Sequence, residues 1–74
     1  MEKITIRDDF IKLGQAMKLA GLADEGSEAK KLITDGEVLV NGETETRRGR
    51  KLRDGDVFSF GGREVQVCTQ NPSN

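Results

Sequence analysis

Three dipeptides, Asn41-Gly42, Asp54-Gly55 and Gly61-Gly62, punctuate the second half of this chain closely enough that only short β-elements fit between them. Asn-Gly and Gly-Gly pairs tolerate positive φ at both central positions of a two-residue turn, the geometry that matches the twist of a hairpin. The flanking residues agree. Val38 and Val40 alternate around Leu39, Thr44 to Thr46 returns along the hairpin, and Val57-Phe58-Ser59-Phe60 leads through Gly61-Gly62 into Arg63 to Val67. The spacing of Phe58 and Phe60 sets both rings on one sheet face.

The first half follows another period. Glu2 to Arg7, with Ile4 and Ile6 on one side, reads as a short strand. From Phe10 the pattern turns helical, with Leu13, Ala16, Met17 and Ala20 on one face and Gly21 placed to stop it. Asp24 or Ser27 is the candidate cap of a second helix, whose apolar stripe is Ala29, Leu32 and Ile33 and whose end is Asp35-Gly36. The expected class is α+β, a two-helix unit resembling a helix-turn-helix packed on a small antiparallel β-sheet of hairpins. With 74 residues there is room for one core only. Residues 1–69 read as one domain and 70–74, which hold the only proline, as a polar tail.

Charge is distributed unevenly. Arg47-Arg48-Gly49-Arg50-Lys51-Leu52-Arg53 carries five of the twelve Lys and Arg and no acid, although the whole chain has a formal net charge of −1. Screening limits the reach of acids on a far face, because the Debye length is ~8 Å at physiological salt. A basic patch on a folded β-region therefore survives an acidic average and suits a polyanion. Arginine is informative here, since its planar fork grips phosphate through two donors. Gly49 either lets a backbone approach closely or serves a turn. The competing reading is a solvated hairpin whose arginines pair with Glu43, Glu45 or Asp54, worth only ~0–1 kcal/mol per exposed pair. Lys30 and Lys31 flank the buried stripe of the second helix and read as solvated or as an extension of the patch.

Other chemistry is sparse. A single cysteine, Cys68, and the absence of histidine leave no disulfide within the chain and too few ligands for zinc. No nucleophile stands beside a base, no glycine loop with a lysine cradles phosphate, and Glu43 and Glu45 read as solvent-facing, so no enzyme is expected. Gly61-Gly62 is internal, which excludes a sulfur carrier or ubiquitin-like protein. The second helix exposes only Glu28, Lys30, Lys31 and Thr34, a poor set for reading DNA bases. The N-terminus shows no apolar run, nothing approaches 18 consecutive apolar residues, and a cytoplasmic monomer without cofactor or membrane contact is the expectation.

Taken in order, Lys12-Leu13-Gly14-Gln15-Ala16-Met17, Gly21-Leu22-Ala23, Ser27 to Ile33, Gly36 to Gly42 and Leu52 to Val57 resemble the S-four RNA-binding domain, and most of all its small free-standing bacterial members. The resemblance implies a helix pair on a small antiparallel sheet, with an RNA surface where the second helix meets the first hairpin. Carried over position by position, that surface is Lys12, Gln15, Ser27, Lys30, Lys31, Asn41 and the run Arg47, Arg48, Arg50 and Lys51; the basic run itself adds Arg53. Two departures stand out, Gly26 where many members have arginine and Gly14 where many have an acid. Ser27 also reads as a capping residue and Asn41 as a turn residue. The resemblance implies ribosomal RNA or the ribosome as partner, with ribosomal proteins as further candidates, in assembly or quality control. Because Phe10, Phe58 and Phe60 are the only aromatics, recognition of folded RNA through backbone and shape is expected over stacking on single strands. The rival reading is an adaptor whose basic hairpin docks an acidic protein.

Overall fold

A computed structural model describes residues 1–70. The order of elements is β1 (Glu2–Ile6), β2 (Phe10–Lys12), α1 (Leu13–Leu19), α2 (Gly26–Thr34), β3 (Leu39–Val40), β4 (Glu43–Thr44), β5 (Lys51–Arg53), β6 (Val57–Phe60) and β7 (Arg63–Thr69). The polar tail expected over residues 70–74 falls outside the described residues except for Gln70, whose N–H donates to the Ile6 carbonyl at 2.7 Å.

Both helices end in the same way. Gly21 and Gly36 take φ of 75° and 79°, and each helix closes with the paired bonds of a Schellman motif. Leu22 N–H donates to Met17 O and Gly21 N–H to Lys18 O, while Glu37 N–H and Gly36 N–H do the same to Leu32 O and Ile33 O. The starts differ from expectation. Phe10–Lys12 is extended because it pairs antiparallel with Lys51–Arg53, so the helical period begins only at Leu13. The N-cap of α2 is Glu25, not Asp24 or Ser27, and it makes no side-chain cap bond. Glu28 instead reaches back from the first turn to accept the Asp24 N–H at 2.7 Å, a variant of the capping box.

The class is α+β, with the helix pair against a sheet that is mixed, not purely antiparallel. Its order is β1-β7-β6-β3-β4, and β1 runs parallel to β7 while the other pairs are antiparallel. Joining the first strand to the last places the pairing beyond any local turn signal. The short β2–β5 ribbon forms a second sheet. One core fills the space between, with Leu13, Met17, Ile33, Val38, Leu52, Phe58, Val65 and Val67 fully buried.

Asn41 and Gly42, at φ of 52° and 85°, close the β3–β4 hairpin as anticipated, and Gly61 and Gly62 at 61° and 84° close β6–β7. The Asn41 side chain has a further task. Its Oδ1 accepts the Val57 N–H at 3.0 Å and its Nδ2 donates to Asp56 Oδ1 at 3.2 Å, which clasps the turn to the start of β6. Asn41→Ala forfeits both bonds and the residue type that tolerates positive φ. It should lower unfolding free energy by about 1–3 kcal/mol, as a shift of the urea midpoint at unchanged slope.

Candidate nucleic-acid interface

The basic segment is held from beneath by an acid. Glu45 follows β4 and is only 6% exposed. Its carboxylate accepts Arg47 Nε at 2.9 Å, Arg47 Nη2 at 3.2 Å, Arg50 Nη1 at 2.7 Å and the Arg47 backbone N–H at 3.0 Å. The expectation of a solvent-facing Glu45 is thereby overturned, because four donors replace the water it leaves. These bonds, the Arg47 side chain first and Arg50 next, outweigh burial and hold its carboxyl down to about 2. In turn the carboxylate raises the Arg47 guanidinium above its ordinary value. Two of the five clustered cations therefore share one internal counter-charge, as the solvated-hairpin reading anticipated for Glu45.

The restrained loop docks on α1. Arg50 O accepts the Leu13 N–H at 2.8 Å and Arg48 O accepts the Gly14 N–H at 3.1 Å. Lys12, the N-cap, offers no side-chain acceptor bond, so loop carbonyls satisfy amides that a helix start leaves open. Gly14 leaves room for the Arg48 side chain, which a larger residue there would displace. A Cβ there would lie 2.7 Å from Arg48 Cγ and 3.3 Å from Cδ, inside ordinary contact.

Beside the docked loop lies a cleft of about 350 Å³, lined by Lys12, Gln15, Lys18 and Arg48 together with Gly14, Gly26 and Gly49. Lys12, Gln15 and Lys18 recur at intervals of three, so they rise along one side of α1. No carboxylate lines the cleft. Gly49 does not take positive φ and nothing lies within 4 Å of a Cβ placed there. Its lack of a side chain opens the cleft mouth; the turn does not demand it. Gly26, at the first turn of α2, is equally open. Lys18 was missed in the sequence reading, although its spacing from Gln15 was a usable signal.

The β2–β5 ribbon extends the cationic surface. Strand alternation turns Leu52 into the core and leaves Phe10, Lys12, Lys51 and Arg53 to the other face. Lys51 Nζ lies 4.8 Å and Arg53 Cζ 5.5 Å from the Phe10 ring centroid, within cation–π range. Lys12 stands directly across from Lys51. Like charges at such a cross-strand position are destabilising.

Other expected residues lie elsewhere. Ser27, Lys30 and Lys31 are exposed on α2 and none lines the cleft. Lys31 Nζ pairs with Asp35 at 3.3 Å, and Ser27 Oγ bonds Glu25 at 3.4 Å. Lys30 makes no ion pair among the described residues. The Asn41 amide is occupied at the β3–β4 turn. The convergence is thus of α1, the 45–50 loop and the β2–β5 ribbon, with α2 contributing Gly26. Lys30, one helical turn on from Gly26, stands on the same side of α2.

Residues 4–68 match the S4 domain profile, and the chain belongs to that family. A Bacillus subtilis protein named as a probable ribosome maturation protein, RlbA, is 48% identical over 59 residues, covering 80% of this chain and 83% of its own length. Escherichia coli YbcJ is 40% identical over 57 residues, 77% of this chain and 81% of YbcJ. The YbcJ solution structure, described as revealing an ALFAL motif involved in RNA-binding, aligns with a TM-score of 0.71 at 35% identity, covering 92% of this chain and 87% of that one.

The Glu45 cluster makes a pH-dependent contribution. Its carboxyl is held below the 4.5 of an unperturbed glutamate, so its stabilisation is complete above that pH and is lost as pH falls through about 2. Glu45→Gln should therefore be less stable than wild type by about 1–3 kcal/mol at neutral pH. Urea titrations of both proteins should show that gap closing between pH 4.5 and 2; a gap independent of pH contradicts the assignment.

Proposed function

We propose that this protein is a non-catalytic RNA-binding module that grips the phosphate backbone of structured RNA at the Lys12–Lys18–Arg48 cleft and along the ribbon edge formed by Lys51 and Arg53. The observation that carries the reading is the cleft itself. Three segments of chain bring three cations and an amide together with no carboxylate among the lining residues. Arg48 supplies planar donors suited to phosphate, and Lys12 and Lys18 supply flexible point charges. Membership of the S4 domain family and the RNA-binding motif described for YbcJ support the ligand class. The name of the Bacillus subtilis relative supports ribosome maturation as the process, and ribosomal RNA is the target we propose within it.

Structured RNA is favoured over a single strand because the aromatic surface is limited. Phe58 is fully buried, and Phe60 packs against the core. No row of rings is left on which successive bases could stack.

Five cations, Lys12, Lys18, Arg48, Lys51 and Arg53, make no ion pair among the described residues. Binding to a ribosomal RNA hairpin should then follow a slope of roughly −3.5 to −4.5 in log K against log[salt]. Raising salt from about 50 to 200 mM should weaken it on the order of 10²–10³-fold. Arg48→Ala should lower affinity across RNA sequences and reduce the slope by about 1. Arg47→Ala, which removes two of the four donors to Glu45, should also weaken binding, by loosening the loop that carries Arg48. An adaptor for an acidic protein would show no salt-sensitive RNA affinity in filter binding, wild type or variant.

A further inference from the structure

A second depression adjoins the cleft and differs from it in chemistry. It measures about 460 Å³ and shares Gln15 and Lys18 with the cleft, but its remaining walls are Ile6, Phe10, Ile11 and Leu19, with Asp8 at the edge. Volumes of this order are usual for sites that take small ligands. Leu19 is 56% exposed, one of two large apolar side chains left in solvent on this molecule among the described residues. The cleft is cationic without an acid; the groove has four apolar walls, and its one cation, Lys18, is offset by Asp8. Phosphate is drawn to the first, and the second offers it no net charge.

The two together match the two halves of a nucleotide. We infer that the groove receives one unstacked nucleobase of the bound RNA, packed against Phe10 and Leu19, while the phosphate beside it lies in the Lys12–Lys18–Arg48 cleft. This rests on the backbone-binding reading above and assigns a separate contact to it. Gln15 stands at the shared wall with one donor group and one acceptor, and the Asp8 carboxylate accepts from a ring or exocyclic N–H. Such a site admits a base that is already unpaired at much lower cost than one drawn out of a duplex. The fitting ligand is therefore a folded RNA bearing a bulged or loop nucleotide, which a scarcity of stacking rings does not exclude, since one ring suffices for one base.

Three hairpins of identical stem test the inference: one fully paired, one with a single-nucleotide bulge, and one with the same bulge lacking its base. Filter binding by the wild-type protein should favour the intact bulge over the abasic one by about tenfold, in line with base–aromatic stacking. Phe10→Leu should bring that ratio towards one, and Leu19→Ser, at an exposed position that folding does not require, should lower it. Equal affinity for intact and abasic bulges, or a ratio unchanged in both variants, overturns the base site. Equal, salt-sensitive binding of all three hairpins would remove this site and leave the backbone reading standing. Absence of salt-sensitive binding to any of them would remove both.

Discussion

The Glu45 carboxylate, enclosed by four donors from Arg47 and Arg50, is the interaction on which the functional surface depends. A loop rich in arginine repels itself and has no apolar side chain to bury, so its side-chain anchor is this carboxylate, beside the backbone turn bond from Arg50 N–H to Arg47 O at 3.2 Å. One buried acid draws residues 45–50 into a compact arch. The arch then presents the Arg48 and Arg50 carbonyls to the open amides of α1. Only with both steps complete does Arg48 come to the side of α1 where Lys12 and Lys18 stand.

Charge is thereby divided between structure and ligand. Arg47 and Arg50 are paired with Glu45, Arg47 from the surface at 73% exposure and Arg50 at 34%, whereas Lys12, Lys18, Arg48, Lys51 and Arg53 make no ion pair among the described residues. The pairing of Lys12 across from Lys51 is unfavourable in the free protein, and it is the kind of local cost that a binding surface carries. Gly14 belongs to the same arrangement. Its lack of a side chain leaves the space that Arg48 Cγ and Cδ occupy. At Gly26 the space stays open.

Much of the fold was legible in the sequence because its signals are local. The Asn41-Gly42 and Gly61-Gly62 turns, the glycines ending both helices and the stripe Leu13, Ala16, Met17 each depend on a few neighbouring residues. The parallel β1–β7 pair was not legible, since it joins opposite ends of the chain. Phe10–Lys12 read as helix because only its partner Lys51–Arg53 makes it a strand. In the site, composition pointed to the basic run, and family resemblance to Lys12 and Gln15. The exposed position of Glu43 and the buried one of Glu45 look alike in sequence, because what separates them is the folding-back of Arg47 and Arg50. Lys18 escaped for the same reason: its importance comes from what the loop brings beside it.

The most direct test is residue-resolved. Amide and side-chain NMR signals of the uniformly labelled protein should be followed during titration with a bulged ribosomal RNA hairpin at low salt. The account predicts that the largest shifts cluster at Lys12, Gln15, Lys18, Arg48 and Gly49, with Lys30, Lys31 and the Asn41 turn much less affected. Shifts centred on α2 and the β3–β4 hairpin, with the α1 cleft silent, would contradict it.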